Sequence, residues 1–414
     1  MSADELPVTA PAARVRASAT ERPVPAAGVL ELFRVFFVIG LTSFGMAILQ
    51  NIRSVPVRRG WLAREDIDEG LGLVQLYPGA IMVDLVAYTG YRTRRVAGAL
   101  AATAGFVTPS LLLMLGLSWA YAEYGTAAGV RELVVGLDAI VVGVVASVAL
   151  DFASQHARGR LETALAVGAF GVGVAGANLL WVVLGALVVG ALALRSAPTE
   201  QAASKESPVR ISKRRLALSL VPAAVVAAGA VVAVLTPGVL AALTADMAKI
   251  GTVAFGNGAT ILPVLQQDVV GAHHWLTPQA FGVGIGFGQV TPGPFLITAA
   301  FVGFHVAGWW GGVLGAVAIF APSVAMTVVA AELYPSLRRL ARVRGAIRGI
   351  MAAFVGLLAT VVLSLGQQIL GVPAALVLAA AALAVVRSFR WNLLAVFGAG
   401  LAAWAVYLAL GGVS

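Results

Sequence analysis

The chain has no cysteine and very little charge. Of its 414 residues, 28 are Lys or Arg and 19 are Asp or Glu, 11% in all. Without cysteine there are no disulfides, no thiol chemistry and no thiolate metal sites. An ordinary soluble domain carries about 25% charged residues, so this chain cannot cover a soluble surface. Also missing are a Walker-A motif, which excludes ATP-driven transport by this chain alone, and any nucleophile–base constellation, which leaves an intramembrane enzyme poorly supported. No cofactor and no metal is expected. His273-His274 is an isolated pair without further ligands or an orienting shell. Gly171-x-Gly173-x-x-Gly176 matches a dinucleotide fingerprint only by letter, because no strand precedes it.

What the chain has is apolar sequence, 60% of its residues. A spanning helix takes about 20 mostly apolar residues. Thirteen apolar segments read as spans: 29–49, 70–91, 96–121, 130–151, 161–177, 178–194, 216–235, 240–262, 280–304, 309–333, 345–366, 368–386 and 392–410. The pair 161–194 reads equally as one tilted helix. Residues 1–28 read as a disordered cytoplasmic tail rich in Ala and Pro, and 195–215 as a basic cytoplasmic linker. The linker separates an N-terminal half (29–194) from a C-terminal half (216–414). The expected fold is an all-α polytopic membrane protein of about 13 helices.

Basic residues set the orientation. With the N-terminus cytoplasmic and the C-terminus external, 21 Lys and Arg fall inside and five outside. This makes the net charge of +9 a signal of membrane topology rather than of nucleic-acid binding. Four of the five outside lie in 51–69 (Arg53, Arg58, Arg59, Arg64) beside Glu65, Asp66, Asp68 and Glu69, a loop that reads as an interfacial helix.

The chain also repeats itself. Trp61-Leu62 returns as Trp275-Leu276, Gly70 and Gly72 as Gly284 and Gly286, and Gln75-x-x-Pro78-Gly79 as Gln289-x-x-Pro292-Gly293. With one residue dropped, Gly90, Gly98, Pro109-Ser110, Gly136 and Gly143 match Gly303, Gly311, Pro322-Ser323, Gly349 and Gly356. One extra span (216–235) between two sets of six makes the copies run in opposite directions. Inverted repeats of this kind build transporters with a site near the bilayer midplane.

The chemistry concentrates at two Pro-Gly breaks, Gln75-Leu76-Tyr77-Pro78-Gly79-Ala80 and Gln289-Val290-Thr291-Pro292-Gly293-Pro294. A Pro-Gly pair interrupts a helix, and irregular backbone at membrane depth must line a cavity or pack on protein. A half-helix starting at the break aims amide donors and a positive dipole end at an anion. The expected substrate-binding residues are Gln75, Tyr77, Pro78, Gly79, Asn257, Gln289, Thr291, Pro292, Gly293 and Pro294, with Lys249 as a buried attractant. Phe44-Gly45 and Phe255-Gly256-x-Gly258 precede the breaks as structural motifs that permit close packing. Asp84, ionisable and deep in an apolar run, is the proton-coupling candidate. Asp138 and Asp151, nearer helix ends, read as structural.

These residues resemble the chromate ion transporter family. The resemblance is closest over Phe255-Gly256-Asn257-Gly258, Trp275-Leu276-Thr277 and Gln289 to Pro294, and covers about 30–150 and 240–360. Where the family has Phe-Gly-Gly-Pro and Pro-Gly-Pro, the first half carries Phe44-Gly45-Met46-Ala47 and Pro78-Gly79-Ala80. The resemblance implies export of chromate, a tetrahedral dianion, across the bacterial inner membrane, with sulfate as a related ligand and two homologous halves of opposite orientation. The partners expected are a small oxyanion, the lipid bilayer and, as one reading, a second copy of the chain. The alternatives are uptake or exchange of sulfate or another anion, and a channel-like pore or membrane-embedded interaction subunit.

Overall fold

The apolar runs fold as helices, and the computed structural model shows where the breaks between them turn the chain. It describes residues 27–44, 46–125, 127–194, 213–256, 258–337, 341–389 and 392–412. Asn257, Gly45, the tail to residue 26 and most of the linker lie outside the described residues. Among those described there is no strand. In chain order the helices are α1 (Val29–Thr42), α2 (Met46–Arg58), α3 (Arg64–Leu73), α4 (Ile81–Tyr124), α5 (Ala128–His156), α6 (Arg160–Val174), α7 (Leu179–Ala193), α8 (Lys213–Leu235), α9 (Val239–Thr252), α10 (Leu262–Gln266), α11 (Pro278–Val290), α12 (Thr298–Leu337), α13 (Ala341–Ile369), α14 (Pro373–Ala384) and α15 (Leu393–Ala409). Short helical turns Ala259–Ile261 and Gln267–Ala272 flank α10. Five helical stretches are long and apolar enough to cross a membrane: Ile81–Tyr124, Gly129–His156, Ala217–Leu235, Phe295–Leu333 and Arg344–Ile369. The region 161–194 is two helices, α6 and α7, with the Asn178 side chain capping α7 through the Leu180 amide.

Two of these stretches are folded back on themselves. In α4 the helical dihedrals fail at Arg94 and Arg95, leaving a short limb (81–93) and a long limb (96–124). In α12 the same happens at Ala307 and Gly308, with limbs 298–306 and 309–337. The limbs meet through paired glycines. A Cβ at Gly90 would overlap the Gly98 carbonyl, and one at Gly98 the Gly90 carbonyl; Gly303 and Gly311 stand in the same reciprocal relation. Only glycine lets two helix backbones approach so closely.

The polar residues of 51–69 are not across the membrane from 92–95, as the charge count had them. Arg92 pairs with Asp66 at 2.5 Å, Arg53 with Asp68 at 3.1 Å and Arg59 with Glu31 at 3.1 Å. Arg94 Nε donates to the Ala27 carbonyl at 2.7 Å. The start of α1, the end of α2, the start of α3 and the end of the α4 short limb therefore share one end of the bundle. It follows that α1 and α2 form a hairpin with Ser43 and Phe44 at its tip, and α3 with the short limb a second hairpin with its tip at 74–80. Segments 29–49 and 70–91 enter and return instead of crossing.

The second half repeats the device. Lys249 and Asp246 on α9 meet Asp268 and His273 beyond α10, at 2.6–2.8 Å. This folds α9 back on the α10 region beyond Val253–Gly256. A Cβ at Gly284 or Gly288 on α11 would strike Phe301 or Thr298 on the α12 short limb, which sets those two elements antiparallel.

The two bent helices α4 and α12 lie side by side. Tyr91 and Arg95, at the turn of α4, bind Glu332 near the far end of α12 at 2.7 and 2.8 Å. Tyr121, near the far end of α4, packs on Phe301 and His305 beside the turn of α12. Helices α6 and α7 do not pack on their own half but on α13, and α14 and α15 pack on α5. The glycines matched in the sequence make these contacts. Gly136 and Gly143 face Trp404 and Ala379, while Gly349 and Gly356 face Ala186, Gly190 and Ala166.

Candidate functional site

The second and third hairpin tips meet, and the fourth packs on the third and beside the last turn of α1. The longer limbs, α1, α2, the α4 short limb, α9 and α11, have 13 or 14 residues and reach about 20 Å at 1.5 Å per residue, enough to enter the middle of a hydrocarbon core of about 30 Å. There the Gly79 amide donates to the Ala254 carbonyl at 2.6 Å and the Ile81 amide to the Gly256 carbonyl at 3.1 Å. The Ala80 amide donates to Ser323 Oγ at 3.3 Å. The second break sits correspondingly against the first half, with Gly293 facing the Ser110 side chain and the Gly40 carbonyl. Each Pro-Ser pair thus receives the Pro-Gly break of the other half.

The tips are shaped by their glycines. Gly256 (φ 69°) and Gly293 (φ 102°) adopt backbone conformations that L residues with a Cβ avoid. Phe255 is buried against Phe354, and its amide and carbonyl both bond the buried Thr260 hydroxyl, at 3.1 and 2.7 Å. Phe44 stands at the first tip, where its carbonyl accepts from the Ala47 amide. Gly258 begins the next helical turn in a left-handed conformation.

The donors expected for an anion are redistributed by this geometry. The amides of Gly79, Ala80 and Ile81 are spent inside the protein, and Pro292 and Pro294 have none to give. The glutamine side chains are unspent: Gln75 is exposed, Gln289 is half-buried, and neither has a hydrogen-bond partner among the described residues. Thr291 is 7% exposed, with its hydroxyl 3.4 Å from the Gly288 carbonyl. Pro78 is half-buried beside them. Helices α2 and α4 and the turns at 259 and 295 all begin at the tips, so four helix N-termini, each a partial positive charge, converge there.

Lys249 is committed elsewhere. It bridges Asp246 at 2.8 Å and Asp268 at 2.7 Å, so two carboxylates offset its charge locally. It supplies no surplus positive charge to the breaks.

Asp84 is the acid at the junction. It is fully buried, in the first turn of α4, with its carboxyl packed on Gly79. Oδ1 lies 3.3 Å from Thr327 Oγ1, which in turn meets the Tyr77 hydroxyl at 2.7 Å and the Ser323 carbonyl at 2.8 Å. Oδ2 is buried without a partner among the described residues. A hydroxyl has one proton to give. If Thr327 gives its proton to the Ser323 carbonyl, the 3.3 Å contact is made only by a protonated Asp84 donating to Thr327. A second acid, Asp138 on α5, is also buried, against Gly282 of α11 with Gln279 beside it. Read from the sequence it was structural, because position along a helix does not report what packs around it. No group of metal-binding residues occurs among those described.

These features define a polytopic helical membrane protein whose helices are broken and folded back into hairpins, the class to which carriers of small solutes belong. The chain belongs to the chromate transporter family: the family's sequence model matches residues 30–191 and 241–405. It is 28% identical over 385 residues to the chromate transport protein of Cupriavidus metallidurans, covering 90% of this chain and 92% of that one. It is 28% identical over 368 residues to a probable chromate transport protein of Synechococcus elongatus, covering 83% and 86%. To a chromate transport protein of Pseudomonas aeruginosa it is 25% identical over 403 residues, covering 94% and 95%. No solved structure matches the chain. The family is one of transporters, not enzymes, and membership supports a role in chromate transport by a multi-pass bacterial membrane protein.

Proposed function

We propose that this protein is a secondary transporter that carries chromate out of the cell between two halves, 29–194 and 216–414, of inverted topology. The observation that carries the reading is that each Pro-Gly break packs on the other half, Gly79 on Ala254 and Ala80 on Ser323 in one direction and Gly293 on Ser110 in the other, in a chain of the chromate transporter family. The antiparallel contacts of α4 with α12 support the inversion. The basic residues support the orientation better than the sequence alone did. With 51–69 moved to the side of 92–95, the count read from the sequence rises from 21 to 25 of the 28 Lys and Arg on one side. Arg131 lies at the other, and Arg34 and Lys249 lie within hairpin limbs. By the positive-inside rule, that end and the N-terminus are cytoplasmic, and the C-terminus is external.

Substrate recognition rests on Gln75 and Gln289 and on the converging helix N-termini. Neutral donors suit a tetrahedral dianion that must also leave. Asp84 sits at one of those N-termini, in a place an anion would take. Ionised, it repels the dianion; protonated, it does not. Binding of chromate is thereby tied to a proton. Expelling a dianion from a negative interior gains about 4.6 kcal/mol per 100 mV, twice the single-charge value, and about 2.3 kcal/mol if one proton leaves with it; either supports export without ATP. Alternate opening would break Tyr91 and Arg95 from Glu332 at the cytoplasmic end, or Tyr121 from Phe301 and His305 at the external end.

The test is chromate uptake by everted vesicles or proteoliposomes carrying the wild type and Gln289→Ala. Loss of uptake in the variant, with normal expression, supports the site. Unchanged uptake and resistance would overturn it. Since the donors read shape and charge, sulfate competes if the site accepts any tetrahedral dianion, and labelled sulfate against chromate in the same vesicles decides this.

A further inference from the structure

One buried acid lies apart from the hairpin tips. Asp138 of α5 is 7% exposed, and its Oδ1 has no hydrogen-bond partner among the described residues. It sits in a seam between α5 and α11. On one face of α11, a Cβ at Gly282 would come within 2.8 Å of Asp138 Oδ1, and one at Gly286 within 3.0 Å of Val141. On another face, Gly284 and Gly288 meet Phe301 and Thr298 of α12. Glycines thus give α11 two smooth faces that pack closely on both neighbours, and α11 runs directly into the Gln289 to Pro294 break.

The external contact stands beside this seam. Tyr121 of α4 is within electrostatic reach of Asp138. It packs on Phe287 of α11 and on Phe301 and His305 of α12. His305 donates from Nδ1 to the Phe301 carbonyl at 2.9 Å, which leaves its Nε2 buried and unpartnered. Two orphaned polar atoms, Asp138 Oδ1 and His305 Nε2, therefore flank the ring whose release would open the external end. The elements packed on α5 add little charge. Helices α11 and α14 carry no ionisable side chain, α15 only Tyr407, and α13 none beyond Arg348. Arg387, just past α14, pairs with Asp151 near the other end of α5. On α5 itself Arg131 and Glu132 lie about 10 Å outward along the helix.

We propose that Asp138 is the proton-linked latch of the external gate: neutral, it lets α11 lie flat on α5; ionised, it draws water in and the seam stands open. A carboxylate in the closed seam would keep one oxygen bare at high cost, whereas a neutral carboxyl costs far less. Deprotonation and opening therefore go together, so raising pH opens the gate and lowering pH closes it. Asp138 acts through α11 and is a positioning residue, not a ligand of the anion. This role presupposes a carrier that opens at its external end, as proposed above, and supplies the group that ties that opening to protons.

The experiment labels single cysteines in the full-length protein in detergent. Ala280, 8% exposed, lies one helical turn outward of Gly284, on the face of α11 toward α12. Ala280→Cys is covered while the gate is closed and reacts with a maleimide when it opens. Its rate is divided by that of Arg131→Cys, which cancels the titration of the thiol itself. Over about two pH units the ratio rises about fivefold or more, within the roughly tenfold per unit that one proton allows. With Asp138→Asn, permanently neutral, the ratio stays low and flat. Gly282→Ala puts a methyl against Oδ1, wedges the seam and raises the ratio at every pH. A flat ratio with Asp138 in place overturns the proposal, and so does the same rise in Asp138→Asn, which would assign the titration to His305. Should Asp138→Asn not assemble, Gly282→Ala decides, since an unchanged ratio there removes the latch. Chromate added at fixed pH to Asp138→Asn tests the carrier separately: a shifted ratio supports it, and no shift sinks the carrier whatever the pH response.

Discussion

The Gly79 amide bonds the Ala254 carbonyl at 2.6 Å, joining the tip of a hairpin in one half of the chain to the tip of a hairpin in the other. Two positions test this junction in different ways. At Gly256 a Cβ would meet nothing closer than 4.0 Å, so Gly256→Ala acts through the left-handed backbone alone. It should destabilise by about 1–2 kcal/mol. At Gly79 the Cβ would run into the Asp84 carboxyl, so Gly79→Ala should abolish chromate uptake while the protein still assembles. Thermal unfolding in detergent and vesicle uptake separate the two effects.

If chromate binding requires a neutral Asp84, uptake should fall as pH rises, by up to about tenfold per unit where one proton is needed. Asp84→Asn is permanently neutral and should lose most of that dependence. A pH series of initial rates on both proteins checks it. Parallel profiles would remove Asp84 from the coupling.

The ends of the hairpins can be mapped chemically, because the chain has no cysteine to interfere. Arg64→Cys and Arg95→Cys should both react with an impermeant maleimide from the same side of the membrane. Arg131→Cys should react only from the other. Labelling of residues 64 and 95 from opposite sides would restore a crossing between them.

Gly90→Leu and Gly303→Leu should each prevent the limbs of α4 or α12 from closing. Overpacking typically costs about 1–3 kcal/mol, and these contacts involve backbone that cannot move aside. Gly116 on the same helix has open space around it, so Gly116→Leu should express normally. Yields of monodisperse protein by fluorescence-detected size exclusion give the comparison.

Glu332 accepts from Tyr91 and pairs with Arg95 across the two bent helices. Arg95 is more than half exposed, so the ion pair contributes little, within about 1 kcal/mol. Glu332→Gln should therefore change stability slightly. It should change transport more, if this contact holds the cytoplasmic end closed, and the ratio of uptake rate to melting shift reads the difference.

The sequence carried much of this fold. The register of Gly90, Gly98, Gly303 and Gly311 predicted a common structure, and the structure gives the reason: each pair lets two limbs touch. The Pro-Gly breaks were legible because proline at membrane depth has few places to go. The returns at the tips were not. A run of 20 apolar residues has the same hydropathy whether it crosses or goes halfway and comes back. The one signal was the charge of 51–69, which held four of the five residues that broke the positive-inside pattern. The spent amides of Gly79 to Ile81 were hidden too, since their acceptors, Ala254, Gly256 and Ser323, lie far along the chain.

The placement of α6 and α7 on α13, and of α14 and α15 on α5, means that neither half encloses its own core. Each closes the other's flank, as in a swapped dimer whose two subunits have been joined through α8. A single half made by itself would leave a long apolar wall open to lipid, while two halves made as separate chains still carry every surface needed to find each other. Cutting the chain within the linker should then be tolerated, and deleting either terminal helix pair should cost the opposite half its stability.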